Sequence, residues 1–276
     1  MISSPVGTPL VRLLESAEDL QAAAGLYREV FNYSDSEAGV NPRLLKSLQE
    51  NGGSVVGAKD QNGNVVAFAY GFAAIADGTV FHYSQAAVIR PDYQGFGIGR
   101  ALKQKQADVA RATGTTFMRW AFDPAIARNA HFNLDTLGAV GIRFRRDLYG
   151  IGESDRLIVQ WDFDSAASAA KPGLSGTKMG GAERESMADE ADTSPAVWGR
   201  LTETADRAWI TIPSSIADLA ASDPASASTV RSRLADSLEA ALGRGLQVAG
   251  CHKIGPGTAR YDLVHPQSPA TTEDIQ

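Results

Sequence analysis

Ala86-Ala-Val-Ile-Arg-Pro-Asp-Tyr-Gln-Gly-Phe-Gly-Ile-Gly-Arg100 is the stretch on which the reading of this chain turns. Ala86 to Ile89 is apolar and reads as the end of a buried strand. Pro91 stops that strand, because it has no N–H to donate to a ladder. Glycines follow at Gly95, Gly97 and Gly99, and a helical run extends from Ala101 to Thr113. A glycine-rich turn between strand and helix exposes consecutive backbone N–H groups at the positive end of the helix, a geometry that binds phosphate. A Cβ there would hold the backbone away from the anion. The spacing is not the Gly-x-Gly-x-x-Gly of dinucleotide folds, and it lacks the Lys-Ser/Thr pair of a P-loop.

Upstream, Leu10 to Leu14 alternates as a strand does. Ser16-Ala-Glu-Asp19 has the form of a capping box, with Asp in place of the usual Glu. The helix that follows carries Leu20, Ala23, Ala24, Tyr27, Val30 and Phe31 on one face. Asn41-Pro42 opens a second helix, ended by Gly52-Gly53. Ser54–Ala58 and Val65–Tyr70 read as strands joined by a hairpin turn at Asp60–Asn64. Thr79–Ile89 is a long third strand running into the glycine turn. Downstream, Thr116–Phe122 is a strand broken by Asp123-Pro124, a helix spans about Ala127 to Leu137, and Arg143–Arg146 and Leu157–Phe163 are further strands.

Composition narrows the function classes. The chain has 276 residues, 43% of them hydrophobic, with a net charge of −6 and a pI near 5.3. That balance argues against an electrostatic nucleic-acid binder. A single cysteine, Cys251, excludes an intrachain disulfide, fits a reducing compartment and a cytoplasmic location, and reads as an ordinary buried thiol. No apolar run reaches the length of about 18 residues needed for a membrane span. The N-terminus lacks the basic start and apolar core of a secretory signal.

The order β-α-α-β-β-β-α-β-α-β-β, with Gln94, Gly97 and Gly99 in a Gln/Arg-x-x-Gly-x-Gly/Ala loop, resembles the GNAT N-acetyltransferase superfamily over residues 8–163. Trp120-Ala-Phe-Asp-Pro124, Arg128-Asn-Ala-His-Phe-Asn133, Leu137-Gly138, Tyr149-Gly150, Ser154-Asp-Arg156 and Trp161 are similar to one subgroup of predicted acetyltransferases with poorly defined substrates. The resemblance implies an α/β (α+β) fold with a mixed, mostly antiparallel sheet, splayed at the acetyl-CoA site and flanked by helices. It implies acetyl-CoA, or another acyl-CoA, as co-substrate, with no metal. Residues 1–163 are then the acetyltransferase domain. Residues 164–200, rich in Ser, Ala, Gly and acidic residues, read as a linker or surface excursion. Residues 201–265 form a small β-α-β unit that either packs on the sheet or is an abbreviated GNAT-like half, and 266–276 a disordered tail.

The same resemblance assigns roles. Backbone groups of Ala87, Val88 and Ile89 hold pantetheine and polarise the thioester. Gln94 and the amides of Gly95, Phe96, Gly97, Ile98, Gly99 and Arg100 hold the pyrophosphate. Asn129 and Phe132 contact pantetheine, although a helix cap and a core aromatic are equal readings. Strand alternation puts Tyr83, Gln85, Ala87 and Ile89 on one face and His82 and Ser84 on the other. Neither Tyr83 nor Gln85 is a strong base at neutral pH, but both can hold a water. His82 has a suitable pKa on the wrong face. Family members often place a tyrosine four residues before the helix-ending glycine, here Leu134; His131, one turn earlier, is the substitute for protonating the thiolate. Asp123 either caps the next helix or faces the acceptor. The expected activity is acetyl transfer to an amine by direct attack in a ternary complex. The alternative is a non-catalytic acyl-CoA-binding or sensor protein. Expected partners are a small-molecule or peptide amine acceptor, no nucleic acid and no membrane, with a homodimer left open.

Overall fold

The computed structural model describes residues 9–33, 39–164 and 193–266. The expected linker falls outside the described residues over 165–192, as does the tail over 267–276. The described residues form two compact units: those of 1–120 with 162–164, and those of 121–161 with 193–266. This division does not coincide with the boundary expected after residue 163.

In the first unit, β1 (Val11–Leu13), β2 (Ser54–Lys59), β3 (Val65–Ala76), β4 (Thr79–Ile89) and β5 (Phe117–Phe122) lie in that order, all antiparallel except β4 with β5. Strand alternation sorts the side chains onto two faces. On one, Val55, Phe68, Tyr70 and Val88 pack with Leu20, Ala23 and Ala24 of α1 (Ala17–Phe31) and Leu45 of α2 (Pro42–Glu50). On the other, Val56, Ala67 and Ala69 pack with Ile98 and Leu102 of α3 (Ile98–Ala112). The caps are those the sequence suggests: Ser16 Oγ accepts the Asp19 N–H at 3.1 Å, and Asn41 Oδ1 accepts that of Arg43 at 2.9 Å. Asp60 Oδ1 closes the β2–β3 turn by accepting the N–H groups of Asn62 and Asn64.

Three differences from the sequence reading concern this unit. Strand β3 runs on to Ala76 instead of stopping at Tyr70. Helix α3 starts at Ile98, not Ala101, so Gly99 and Arg100 form its first turn. Tyr70 pairs with Ala86 but Gly71 with Ser84, so Gln85 is the extra residue of a β-bulge in β4.

In the second unit the strand order is β7 (Arg156–Asp162), β6 (Val140–Arg145), β10 (Gln247–Gly255), β11 (Thr258–Val264), β9 (Ala208–Pro213), β8 (Leu201–Glu203). The C-terminal strands therefore continue a sheet begun by β6, through the pair Val248–Gly141. The short β8 was not expected. α5 (Ile216–Ser222) is capped by Ser215, and α6 (Pro224–Gly243) by Asp223, which accepts the Ser226 N–H. Val230, Leu234 and Leu238 of α6 are buried, as their i+4 spacing requires. The helix expected over 127–137 is α4 (Ala127–His131) followed by a wide π turn, Phe132–Thr136, in which the Leu137 N–H reaches the Phe132 carbonyl at 3.0 Å.

Candidate active site

Strand β4 is bonded to β3 along its length, but to β5 only through the pairs His82–Met118 and Tyr83–Arg119. From Ser84 onward the β5 side of β4 carries no such pairing. The hydrogen-bond alternation decides which backbone groups face that edge. The Arg90 N–H donates to the Val66 carbonyl at 3.0 Å, which marks Arg90–Val66 as a bonded pair. Bonded pairs alternate along an antiparallel ladder, so Val88 also turns its N–H and C=O to β3, while Ala87 and Ile89 turn theirs away from it. Gln94 Nε2 donates to the Ile89 carbonyl at 3.1 Å, tying the loop to this edge.

The loop that follows is built for close approach. Pro91–Tyr93 makes one tight helical turn, braced by the bidentate Arg90–Asp92 pair. Gly95 and Gly97 have φ of +89° and +78°, the left-handed region where glycine is unstrained, and a Cβ on either would meet nothing within 4 Å. Gly97 is the N-cap of α3 and supplies no side-chain cap. The first N–H groups of a helix have no intrahelical partner, and α3 presents them at its positive end. Ile98 is buried in the core beneath the loop, and Phe96 is partly exposed above it.

The bulge overturns the expectation that Tyr83 and Gln85 share a face with Ala87 and Ile89. Tyr83 lies opposite Phe72, their rings 5.5 Å apart, and so stands on the α1 face. Ile89 packs with Ile98 on the α3 face. Tyr83, Gln85, Ala87 and Ile89 therefore do not share a face: the extra residue, Gln85, reverses the alternation. His82 does lie opposite Tyr83, on the α3 face. It is fully buried, its Nε2 is 2.8 Å from Ser54 Oγ, and burial, then the nearby Lys103, pushes its pKa down to about 4. A proton acceptor so weak and so enclosed is a poor general base.

Beneath β4 lies a cluster the sequence reading missed. Lys103 Nζ donates to Ser84 Oγ at 2.8 Å, Ser84 Oγ to Gln106 Oε1 at 2.8 Å, and Gln106 Nε2 to Ser54 Oγ at 3.0 Å. Lys103 also lies 3.9 Å above the Trp120 ring, and burial lowers its pKa to about 7. The available signal was Lys103 and Gln106 one turn apart on the otherwise apolar face of α3, with Leu102, Ala107 and Ala110.

His131, Asn129 and Phe132 belong to the second unit. His131 Nδ1 is 3.1 Å from Asp135 Oδ2 and 3.0 Å from the Cys251 carbonyl, and Asp135 also accepts the Cys251 N–H. This fixes the ring and leaves Nε2 as its outer nitrogen. Asn129 is exposed and Phe132 half-buried at the start of the π turn. Asp123 caps the turn before α4 by accepting the Ala125 N–H, and pairs with Arg231 at 3.1 Å. Cys251 is buried, its thiol pushed well above the ordinary range by burial and then by Asp135 and Asp262. Among the described residues, no cluster of three or more His, Cys, Asp or Glu side chains could hold a metal, and no helix is long and apolar enough to cross a membrane.

Residues 12–132 match the family model described as Acetyltransferase (GNAT) family. No curated protein matches the chain. Among solved structures, a Salmonella typhimurium protein described as an acetyltransferase, with its cofactor acetyl-CoA, is 21% identical, over 59% of this chain and 99% of its own, with a TM-score of 0.47. The ribosomal-protein-alanine N-acetyltransferase of Brucella melitensis is 20% identical, over 55% and 99%, with a TM-score of 0.47. The ribosomal-protein-S18-alanine N-acetyltransferase of Escherichia coli is 20% identical, over 62% and 97%, with a TM-score of 0.42.

Proposed function

Residues 12–132 are a GNAT acetyltransferase domain, and from that premise we propose an acyl-CoA-dependent N-acyltransferase that moves acetyl from acetyl-CoA to an amine by direct attack in a ternary complex. One observation carries the reading: the unpaired edge of β4 runs directly into an uncapped, glycine-rich helix N-terminus. The two together offer an extended row of backbone donors and acceptors ending in an anion site.

The roles follow the chemistry of each group. The N–H groups from Gly95 to Arg100 take the pyrophosphate. The outward groups of Ala87 and the Ile89 N–H bond the pantetheine arm, and Gln94 holds the loop against that edge. A backbone N–H of β4 polarises the thioester carbonyl, which is worth a few kcal/mol when the donor is fixed in advance. The amine nitrogen forms a bond to the carbonyl carbon, the C–S bond breaks, and the proton shed by the amine is balanced by one taken up by the thiolate. An alkyl ammonium has a pKa of about 10.4, so a proton must be lost before attack. Tyr83, on the α1 face of β4, holds a water that accepts it.

Free-thiol release from acetyl-CoA against a panel of amines tests this reading. Turnover with an acceptor is expected, rising with pH as free amine accumulates. Tyr83→Phe should slow it by about tenfold, less than loss of a dedicated base. Tight acetyl-CoA binding with no turnover on any amine would favour the non-catalytic binding protein.

A further inference from the structure

The β4–β5 pairing stops at Tyr83–Arg119, so the next rung would have joined Ser84 to Trp120. Lys103 touches both residues. Its Nζ donates to Ser84 Oγ at 2.8 Å and lies 3.9 Å over the Trp120 ring. We propose that Lys103 is the wedge of the acyl-CoA slot: a positioning residue, reaching up from α3, that holds β4 and β5 apart at the rung where they separate and so sets the place of the acyl end. This inference rests on the acyltransferase reading of the same slot.

The chemistry of the cluster suits a spacer. A lysine buried to 4% exposure is costly, because burial penalises its charge. Among the described residues the groups about it offer no neutralising carboxylate: on β4 they are Ser84 and His82, on α3 Gln106, on β2 Ser54, and on β5 Trp120. Its position is instead fixed from two sides, by a hydroxyl on one strand and an aromatic face on the other, a favourable seat for a cation. Ser84 is itself held by Gln106, and Gln106 by Ser54, so the wedge is braced against β2. The His82 Nδ1, at the far end of the chain of bonds, is buried and has no partner among the described residues. A cluster that leaves one polar atom unpaired and one lysine without a counter-ion serves stability poorly. Its location at the branch point supplies the other reason for it.

Calorimetric titration of Lys103→Met, which keeps the length of the stem but not the amine, separates positioning from mere folding. Two probes are used: acetyl-CoA, whose arm runs along the slot, and ADP, which carries only the adenosine and pyrophosphate end. Affinity for acetyl-CoA is expected to fall about tenfold, with ADP affinity and the melting temperature not lowered. Lys105→Met, on the outer side of α3, should bind both like wild type. If Lys103→Met does not fold, Ser84→Ala, which removes the hydroxyl that ties both Lys103 and Gln106 to β4, carries the same test with the same split. Equal loss for both probes, or no loss for acetyl-CoA, overturns the wedge while leaving the acyltransferase reading intact. A wild-type protein that binds ADP but gains nothing from the acyl-pantetheine arm overturns that reading itself.

Discussion

Among single residues, Lys103 makes the sharpest energetic statement. Its pKa is about 7 in the folded protein and that of an ordinary lysine when unfolded. Between about 7 and about 10.5 the unfolded chain binds a proton that the folded chain does not, so stability must rise with pH across that window, and the full cost of the buried charge is present below it. Urea unfolding at pH 6 and pH 9 should show wild type gaining stability relative to Lys103→Met by more than about 1 kcal/mol. A gain of the same size in both proteins would contradict the assignment. His82 works in the acid range with the same sign: its pKa is lowered to about 4, so stability is lost as pH falls from about 6.5 toward 4. Neither effect was legible in the sequence. The glycines announce their loop because only glycine tolerates those backbone angles, whereas a buried lysine and an exposed one are the same letter in the chain.

For the elements, the strands, helices and caps of residues 9–164 were legible because alternation, 3.6-residue spacing and capping side chains all act locally. The bulge was not, since it is a property of two paired strands. Strand β3 was expected to stop at Tyr70, and Gly71, the next residue, faces the bulge: a Cβ there would sit 2.5 Å from the Tyr83 carbonyl and 2.6 Å from His82 Nε2. Gly71→Ala should therefore destabilise the protein by about 1–3 kcal/mol, as overpacking does, and lower acetyl-CoA affinity by disturbing the branch point. An unchanged unfolding midpoint would show that β4 can shift without cost. The π turn at Phe132–Thr136 escaped for a related reason: its wide i→i+5 bond leaves the apolar spacing of a helix nearly intact.

For the whole chain, the C-terminal segment was legible as strand, helix and strands, but not its place in a sheet. Within the second unit, Val248 pairs with Gly141, the Tyr261 hydroxyl donates to the Pro124 carbonyl at 2.6 Å, and Arg231 pairs with Asp123. The described residues of 200–276 thus take strand pairing, a buried hydrogen bond and an ion pair from partners in 121–161. Expressed alone, they should show no cooperative thermal transition by circular dichroism; a cooperative monomeric melt would contradict this.

Titration calorimetry of acetyl-CoA into wild type, Gly97→Asp and Gly99→Asp tests most directly whether the strand edge and glycine loop of the first unit bind acyl-CoA. Each variant sets a carboxylate beside the N–H groups assigned to the pyrophosphate. Wild type is expected to bind saturably, and both variants at least about tenfold more weakly while remaining folded. Unchanged affinity in both would contradict the account.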